Sequence, residues 1–264
     1  MVWYDVSSVK VTVRRAGNGS TEQEATSGMA EWIPDDEYKT FMVVVAHPDD
    51  LEFSSAGTVA RWVQRGMDAI LVQVTSGDRG SPDPNMTPER LTEIREQEQR
   101  EAAAVLGIKE VVFLREPDGQ TDNSYRFRGR IVHEIRRFKP DIVITHDPWR
   151  PYALHPDHRN VGITTTDAIY PTARDAIYFP EHYHEEGLEP HKVAELLFFN
   201  AEHPDCFVDV SSTFDTKLEA LRHHDSQVGQ SKDLEKRLRE RLEEIGKQAD
   251  LPMAESFRRL TMRR

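Results

Sequence analysis

The sequence predicts an α/β domain: a Rossmann-like, mostly parallel sheet with helices on both faces. Three observations lead there. Residues 41–46, Phe-Met-Val-Val-Val-Ala, form a short apolar run rich in β-branched residues, as expected of a strand buried on both sides. Similar runs recur at Ala69–Val74, Val111–Leu114 and Asp141–Thr145. Segments of helical period separate them, and that alternation calls for right-handed crossovers and parallel strands.

Each element has its own signal. Ser54–Gln64 carries Val59, Trp62 and Val63 at helical spacing and stops before Gly66, a C-cap residue. Thr75–Pro84 is a Gly- and Pro-rich loop at a strand's carboxyl end, where loops shape substrate mouths or simply cross the surface. Thr87-Pro88 opens a helix that runs to Leu106 and stops at Gly107. Glu116–Gln120 is a turn. Tyr125–Phe138 is helical through Phe127, Ile131 and Ile135, and Pro140 closes it. His155–His158 forms the first turn of a helix reaching Ile169. Glu195–Phe199 and Phe207–Val210 read as short strands, Thr213–His223 and Asp233–Ile245 as helices. The last is charged nearly throughout and reads as a solvated face, mobile or an oligomer contact. There is no internal repeat. Residues 1–40 read as an N-terminal extension, with an alternating edge strand inside Trp3–Val13 and a polar linker at Gly17–Gly28; residues 41–264 form a single catalytic domain.

Composition narrows the function classes. A formal net charge of −12 over 264 residues excludes a nucleic-acid backbone as partner but leaves a neutral sugar open. Cys206 is the single cysteine, so no intrachain disulfide forms and a reducing compartment is expected. No apolar run approaches the roughly 18 residues that span a bilayer, and the first residues do not read as a signal segment. A cytoplasmic location is the expectation.

The chemistry gathers at two places. The first strand stops at His47-Pro48-Asp49-Asp50, at the sheet edge where ligands bind in open α/β folds. His47 and Asp50 can reach one divalent ion, and His158 of His155-Pro156-Asp157-His158 offers a third ligand. Two histidines, a carboxylate and an open fourth position define a catalytic zinc site, although the same set suits Fe(II). Any one of the eleven histidines reads ordinarily as a polar residue at an element end. The pairing of two His-Pro-Asp turns argues for a metal. Asp49 is then free to take a proton from water, or else it orients His47 or caps the next helix. His155 shares a helix face with His158 and belongs to a second metal site, acts as an acid or electrophile near the ion, or caps the helix. In the acid reading Asp157 orients its ring and raises its pKa.

Val44-Val-Ala-His-Pro-Asp-Asp50 and the stretch from His146-Asp-Pro-Trp to Asn160-Val-Gly162 resemble the zinc-dependent de-N-acetylases of the PIG-L/LmbE family, over about Phe41 to Gln227. The resemblance implies removal of an acetyl group from an N-acetylglucosamine-type sugar conjugate. It implies His47, Asp50 and His158 as ligands, Asp49 as general base, and His155 as stabiliser of the tetrahedral intermediate. It also places Arg95 and Asp118 on the sugar, where the residues alone read as a helix-surface charge and a turn residue. Family members carry a tyrosine two residues before the first histidine of the second motif; here that position is Ala153, and Tyr152 stands one further back. Arg222-His-His224-Asp-Ser226-Gln227 matches the family without an implied role. The alternatives are a thiol-conjugate amidase of the same family and a sugar- or metal-binding module without turnover. A nucleotide-binding enzyme is disfavoured because no Gly-x-Gly-x-x-Gly follows the first strand.

Overall fold

A computed structural model describes residues 31–229 and 231–262. Its strands are β1 (Thr40–Val45), β2 (Asp68–Thr75), β3 (Glu110–Glu116), β4 (Ile142–His146), β5 (Glu195–Phe199), β6 (Cys206–Asp209) and β7 (Ala254–Thr261). They form one sheet in the order β3-β2-β1-β4-β5-β7-β6. β1 pairs in parallel with both β2 and β4, and the chain leaves β1 towards β3 on one side and β5 on the other. The order therefore reverses between β1 and β4, and the crevice at their carboxyl ends is a topological switch point.

Because alternate strand residues face opposite ways, β1 feeds two cores. Phe41, Val43 and Val45 pack with Trp62 of α2 (Ala56–Gln64), Leu106 of α3 (Pro88–Leu106) and Leu221 of α7 (Phe214–Arg222). Met42 and Val44 face Ile131 and Ile135 of α4 (Tyr125–Phe138) and Val161 of α5 (Pro156–Asp167). The start and stop of α3 follow its sequence signals. The Thr87 side chain accepts from Arg90 N–H at 3.3 Å, Pro88 takes the first turn, and Gly107 ends the helix at φ +73°.

Four expectations are corrected or refined. The segment after the first strand is two helices, α1 (Asp50–Ser54) and α2, broken at Ser55. The sheet has an additional strand, β7, antiparallel to both β5 and β6. Helix α9 (Leu234–Gly246) keeps the expected solvated face but is also anchored: Leu238 and Leu242, four apart, are buried against the core. Residues 31–39 belong with the domain rather than with a linker, since Trp32 N–H donates to Phe207 O at 2.8 Å and its ring meets Trp62 edge-on. The edge strand expected within Trp3–Val13 lies outside the described residues. No helix among the described residues is long and apolar enough to cross a membrane.

Candidate active site

The site assembles at the switch point. β1 delivers His47, Asp49 and Asp50 on a tight turn, in which Asp50 Oδ2 accepts from the His47 N–H at 2.7 Å. Asp49 sits at φ +93°, a left-handed conformation that strains a residue with a side chain. Helix α5 brings His155 as its N-cap and Asp157 and His158 in its first turns.

Three ligand side chains converge. His47 Nδ1 lies 3.2 Å from His158 Nε2 and 3.4 Å from Asp50 Oδ2, and His158 Nε2 lies 3.1 Å from Asp50 Oδ1. Ligand atoms placed tetrahedrally at about 2.0–2.1 Å from an ion stand about 3.3 Å apart, so the spacing fits a small divalent cation. The charges fit as well. Burial works against the His47 imidazolium, yet Asp118, Asp157 and Asp50 outweigh it and push its pKa up to about 11. Burial would also raise Asp50, but His146, His158 and His47 hold it well below the usual carboxylate range. Overlapping histidine and carboxylate groups around His47 and His158 make this a candidate metal centre.

The far side of the His47 ring is equally organised. Nε2 stands 3.1 Å from Asp157 Oδ2 and 3.3 Å from Asp118 Oδ1. Asp157 is fully buried and accepts from the Gly119 N–H, the Thr121 N–H and the Thr121 hydroxyl. A carboxylate so fixed orients an imidazole whose other nitrogen faces a metal. This corrects the partner expected for Asp157: its oxygen is 3.9 Å from His155 Nδ1 and serves His47 instead. His155 is consequently pulled below its ordinary pKa, by burial first and then by the charges of His47 and His158. Its Nδ1 accepts from the Asp157 N–H at 3.3 Å, which leaves Nε2 to carry the proton of a neutral ring.

Asp49 is held from behind. Arg95, 4% exposed, donates to Pro48 O at 2.6 Å and Gly77 O at 3.1 Å and approaches Asp49 Oδ2 at 3.4 Å. It is a buried clamp on the Asp49 turn, not the helix-surface charge its neighbours suggest. Burial, then the charge of Asp50, push Asp49 up to about 7 against the pull of Arg95 and His224. The Asp49 N–H donates to Gln99 Oε1 at 3.3 Å, Gln99 Nε2 donates to Glu52 at 2.8 Å, and His224 Nε2 lies 3.1 Å from Glu52. His224 and Glu52 are both fully buried. The motif around His224 thus backs the Asp49 turn, and Ser226 ties it to α3 through Glu98.

Two further residues differ from expectation. Tyr152 is 94% exposed at φ +59° and, among the described residues, makes no hydrogen bond to the cluster. His146, unassigned by sequence, is buried at the end of β4, accepts from Ala46 N–H at 3.1 Å and stacks on His158 at 4.3 Å. Its signal was only its place at a buried strand's end.

A Rossmann-like sheet with a two-histidine, carboxylate centre at its switch point, a strained aspartate beside it and a neutral imidazole opposite defines a metal-dependent hydrolase. Comparison with known proteins makes this specific. Residues 42–169 match the family model PIG-L, GlcNAc-PI de-N-acetylase. The chain is 31% identical over 194 residues to a diacetylchitobiose deacetylase of Thermococcus kodakarensis, covering 74% of this chain and 72% of that one. It is 29% identical over 196 residues to a probable N-acetyl-α-D-glucosaminyl L-malate deacetylase of Bacillus anthracis, covering 69% and 84%. The N,N'-diacetylchitobiose deacetylase of Pyrococcus horikoshii superposes with a TM-score of 0.81 at 27% identity, covering 85% of each chain. The chain belongs to the PIG-L/LmbE family of zinc-dependent deacetylases and is an amide hydrolase of that family.

Proposed function

We propose that the protein removes the acetyl group from the nitrogen of an N-acetylglucosamine-type conjugate, with a zinc ion held by His47, Asp50 and His158. The observation that carries the reading is the spacing of those three ligand side chains beside a carboxylate that takes no part in them. When bound, a divalent ion supplies a Lewis acid for the amide carbonyl and acidifies water. Ferrous iron fits the same donors.

The chain's own residues account for the proton movements. Asp49 accepts a proton from the attacking water; a carboxylate pushed up to about 7 is matched to that task. As the carbon–nitrogen bond breaks, the same proton passes from Asp49 to the departing amine, and the acetyl carbon leaves as acetate. His155 acts as a neutral donor: its Nδ1 is occupied as an acceptor, so Nε2–H is available to the oxyanion of the tetrahedral intermediate. Asp118, buried beside His47, is a candidate contact for the sugar hydroxyls.

Chelated enzyme reloaded with zinc, assayed for acetate release from N-acetylglucosamine conjugates, tests this reading. Acetate released only with metal supports it. Release of a larger acyl group from a thiol conjugate, with none of acetate, identifies an amidase instead. Metal binding without turnover of any conjugate leaves a binding module.

A further inference from the structure

A cavity of about 630 Å³ is lined by residues that neighbour the site in the chain. Its walls continue the elements that carry the site. Ser54 lies one turn of α1 from Asp50 and donates to Asp50 O at 2.7 Å. Tyr152 and Arg150 lie on the loop that leads to His155. Asn200 follows Phe199, whose ring packs on His146 at 4.5 Å. Four residues of helix rise about 6 Å, so the cavity begins roughly one helical turn from a metal ligand. That volume suits a small-molecule group.

Its charges are unusual for this acidic chain. Arg150 makes no ion pair or side-chain hydrogen bond among the described residues. Arg241, on the α9 wall, has no carboxylate partner there either and donates only to Asn200 Oδ1, at 2.7 Å. The two guanidinium groups act on one another: burial first, and the like charge of Arg150 after it, hold Arg241 below its ordinary pKa against the attraction of Glu255. Glu255 does not neutralise the pair, because its carboxylate is taken by Lys217 Nζ at 2.7 Å and by the N–H groups of Gly57 and Thr58. Glu202 is exposed at the wall and leaves two arginines facing one free carboxylate. Elsewhere Arg115, Arg126, Arg130 and Arg137 each sit on a glutamate. Two cations held near each other against a single exposed carboxylate leave an excess of positive charge for an anion from outside, and the guanidinium fork suits carboxylate and phosphate oxygens.

We propose that this cavity is a substrate subsite, in which Arg150 and Arg241 hold a carboxylate or phosphate carried by the part of the conjugate beyond the N-acetylated sugar. The inference rests on the deacetylase reading and names the class of its substrate. An anionic aglycone one sugar ring from the amide reaches the arginines while the acetyl group lies at the ion.

Zinc-loaded full-length enzyme is compared with Arg150→Gln/Arg241→Gln on three probes: methyl N-acetylglucosaminide, the N-acetylglucosaminide of glycolate, and N-acetylglucosamine 1-phosphate. The expected result is that wild type prefers an anionic probe to the neutral one in kcat/KM. In the double variant that preference falls roughly tenfold or more, through KM rather than kcat. A larger loss with phosphate or with glycolate supports the subsite and names its ligand. Arg150→Gln alone, on an exposed loop, is expected to show a smaller loss of the same kind and serves if the double variant folds poorly. Calorimetric titration of the two proteins with glucosamine 1-phosphate reads the subsite without turnover. If no probe releases acetate, the deacetylase reading fails, and the titration still judges the anion site. An equal ratio of anionic to neutral kcat/KM in variant and wild type, or equal affinity in the titration, overturns the proposal.

Discussion

The proposed chemistry concentrates in a single side chain, Asp49. Its φ of +93° turns it away from the ligand set, and Arg95 and Gln99 fix it there. Asp49→Asn is expected to keep its metal and lose a factor of about 10²–10⁴ in kcat, measured with zinc content matched to wild type. As the proposed base, Asp49 works ionised, so the rate should fall as pH drops through its pKa. Burial and the charge of Asp50 set that limb at about 7, and a cation beside Asp50 offsets the second cause. The acid limb of kcat against pH should therefore lie at or below about 7. His155 is different in kind, because burial and two neighbouring imidazoles keep it neutral. His155→Ala should lose roughly 10²–10³ in kcat as an oxyanion donor, yet leave the alkaline limb of the profile where it was. A shifted alkaline limb at equal metal content would show that the ring works as an acid.

Helix α3 is the element on which the site leans. Arg95 and Gln99 point to the Asp49 turn, while Glu96 holds Ser76 and Arg115, and Glu98 holds Ser226. The loop after β2 is shaped to admit Arg95: a Cβ on Gly77, at φ +65°, would stand 2.3 Å from Arg95 Nη1. Gly77→Ala should displace the guanidinium and lower kcat with metal retained. Gly66→Ala, also left-handed but with nothing within 4 Å, should cost about 1–2 kcal/mol of stability and no kcat. Steady-state kinetics and urea unfolding on the pair separate these outcomes. This element also shows where sequence reading stops. The period, cap and terminal glycine of α3 are local and were readable, as were the valine run of β1 and the two His-Pro-Asp turns. Nothing local distinguishes Arg95 from Arg90 or Arg100, since only the fold brings Pro48 and Gly77 to it. His224 meets Glu52 across most of the chain, and β7 hides as Ala-Glu-Ser-Phe-Arg-Arg-Leu-Thr, whose charges pair with residues on other elements, Glu195 and Lys217.

At the scale of the molecule, the sheet order explains why the site lies where it does. Reversal between β1 and β4 opens the crevice, and the segments leaving those strands carry His47, Asp50 and His158. The β7 side of the sheet is locked by Glu255, which receives the first N–H groups of α2 and the buried Lys217 of α7. Removing one partner of a buried pair leaves the other uncompensated, so Lys217→Met should lower unfolding free energy by roughly 3–5 kcal/mol with the metal centre unchanged. Urea unfolding and metal content together check this.

In the proposed mechanism His47, Asp50 and His158 hold the ion while Asp49 does chemistry without holding it. The most direct measurement is the zinc content of purified wild type, His158→Ala and Asp49→Asn after identical loading and desalting, set beside their acetate release. The account requires His158→Ala to lose both metal and activity, and Asp49→Asn to keep wild-type zinc while losing activity. Full zinc in an active His158→Ala enzyme, or loss of zinc in Asp49→Asn, would contradict it.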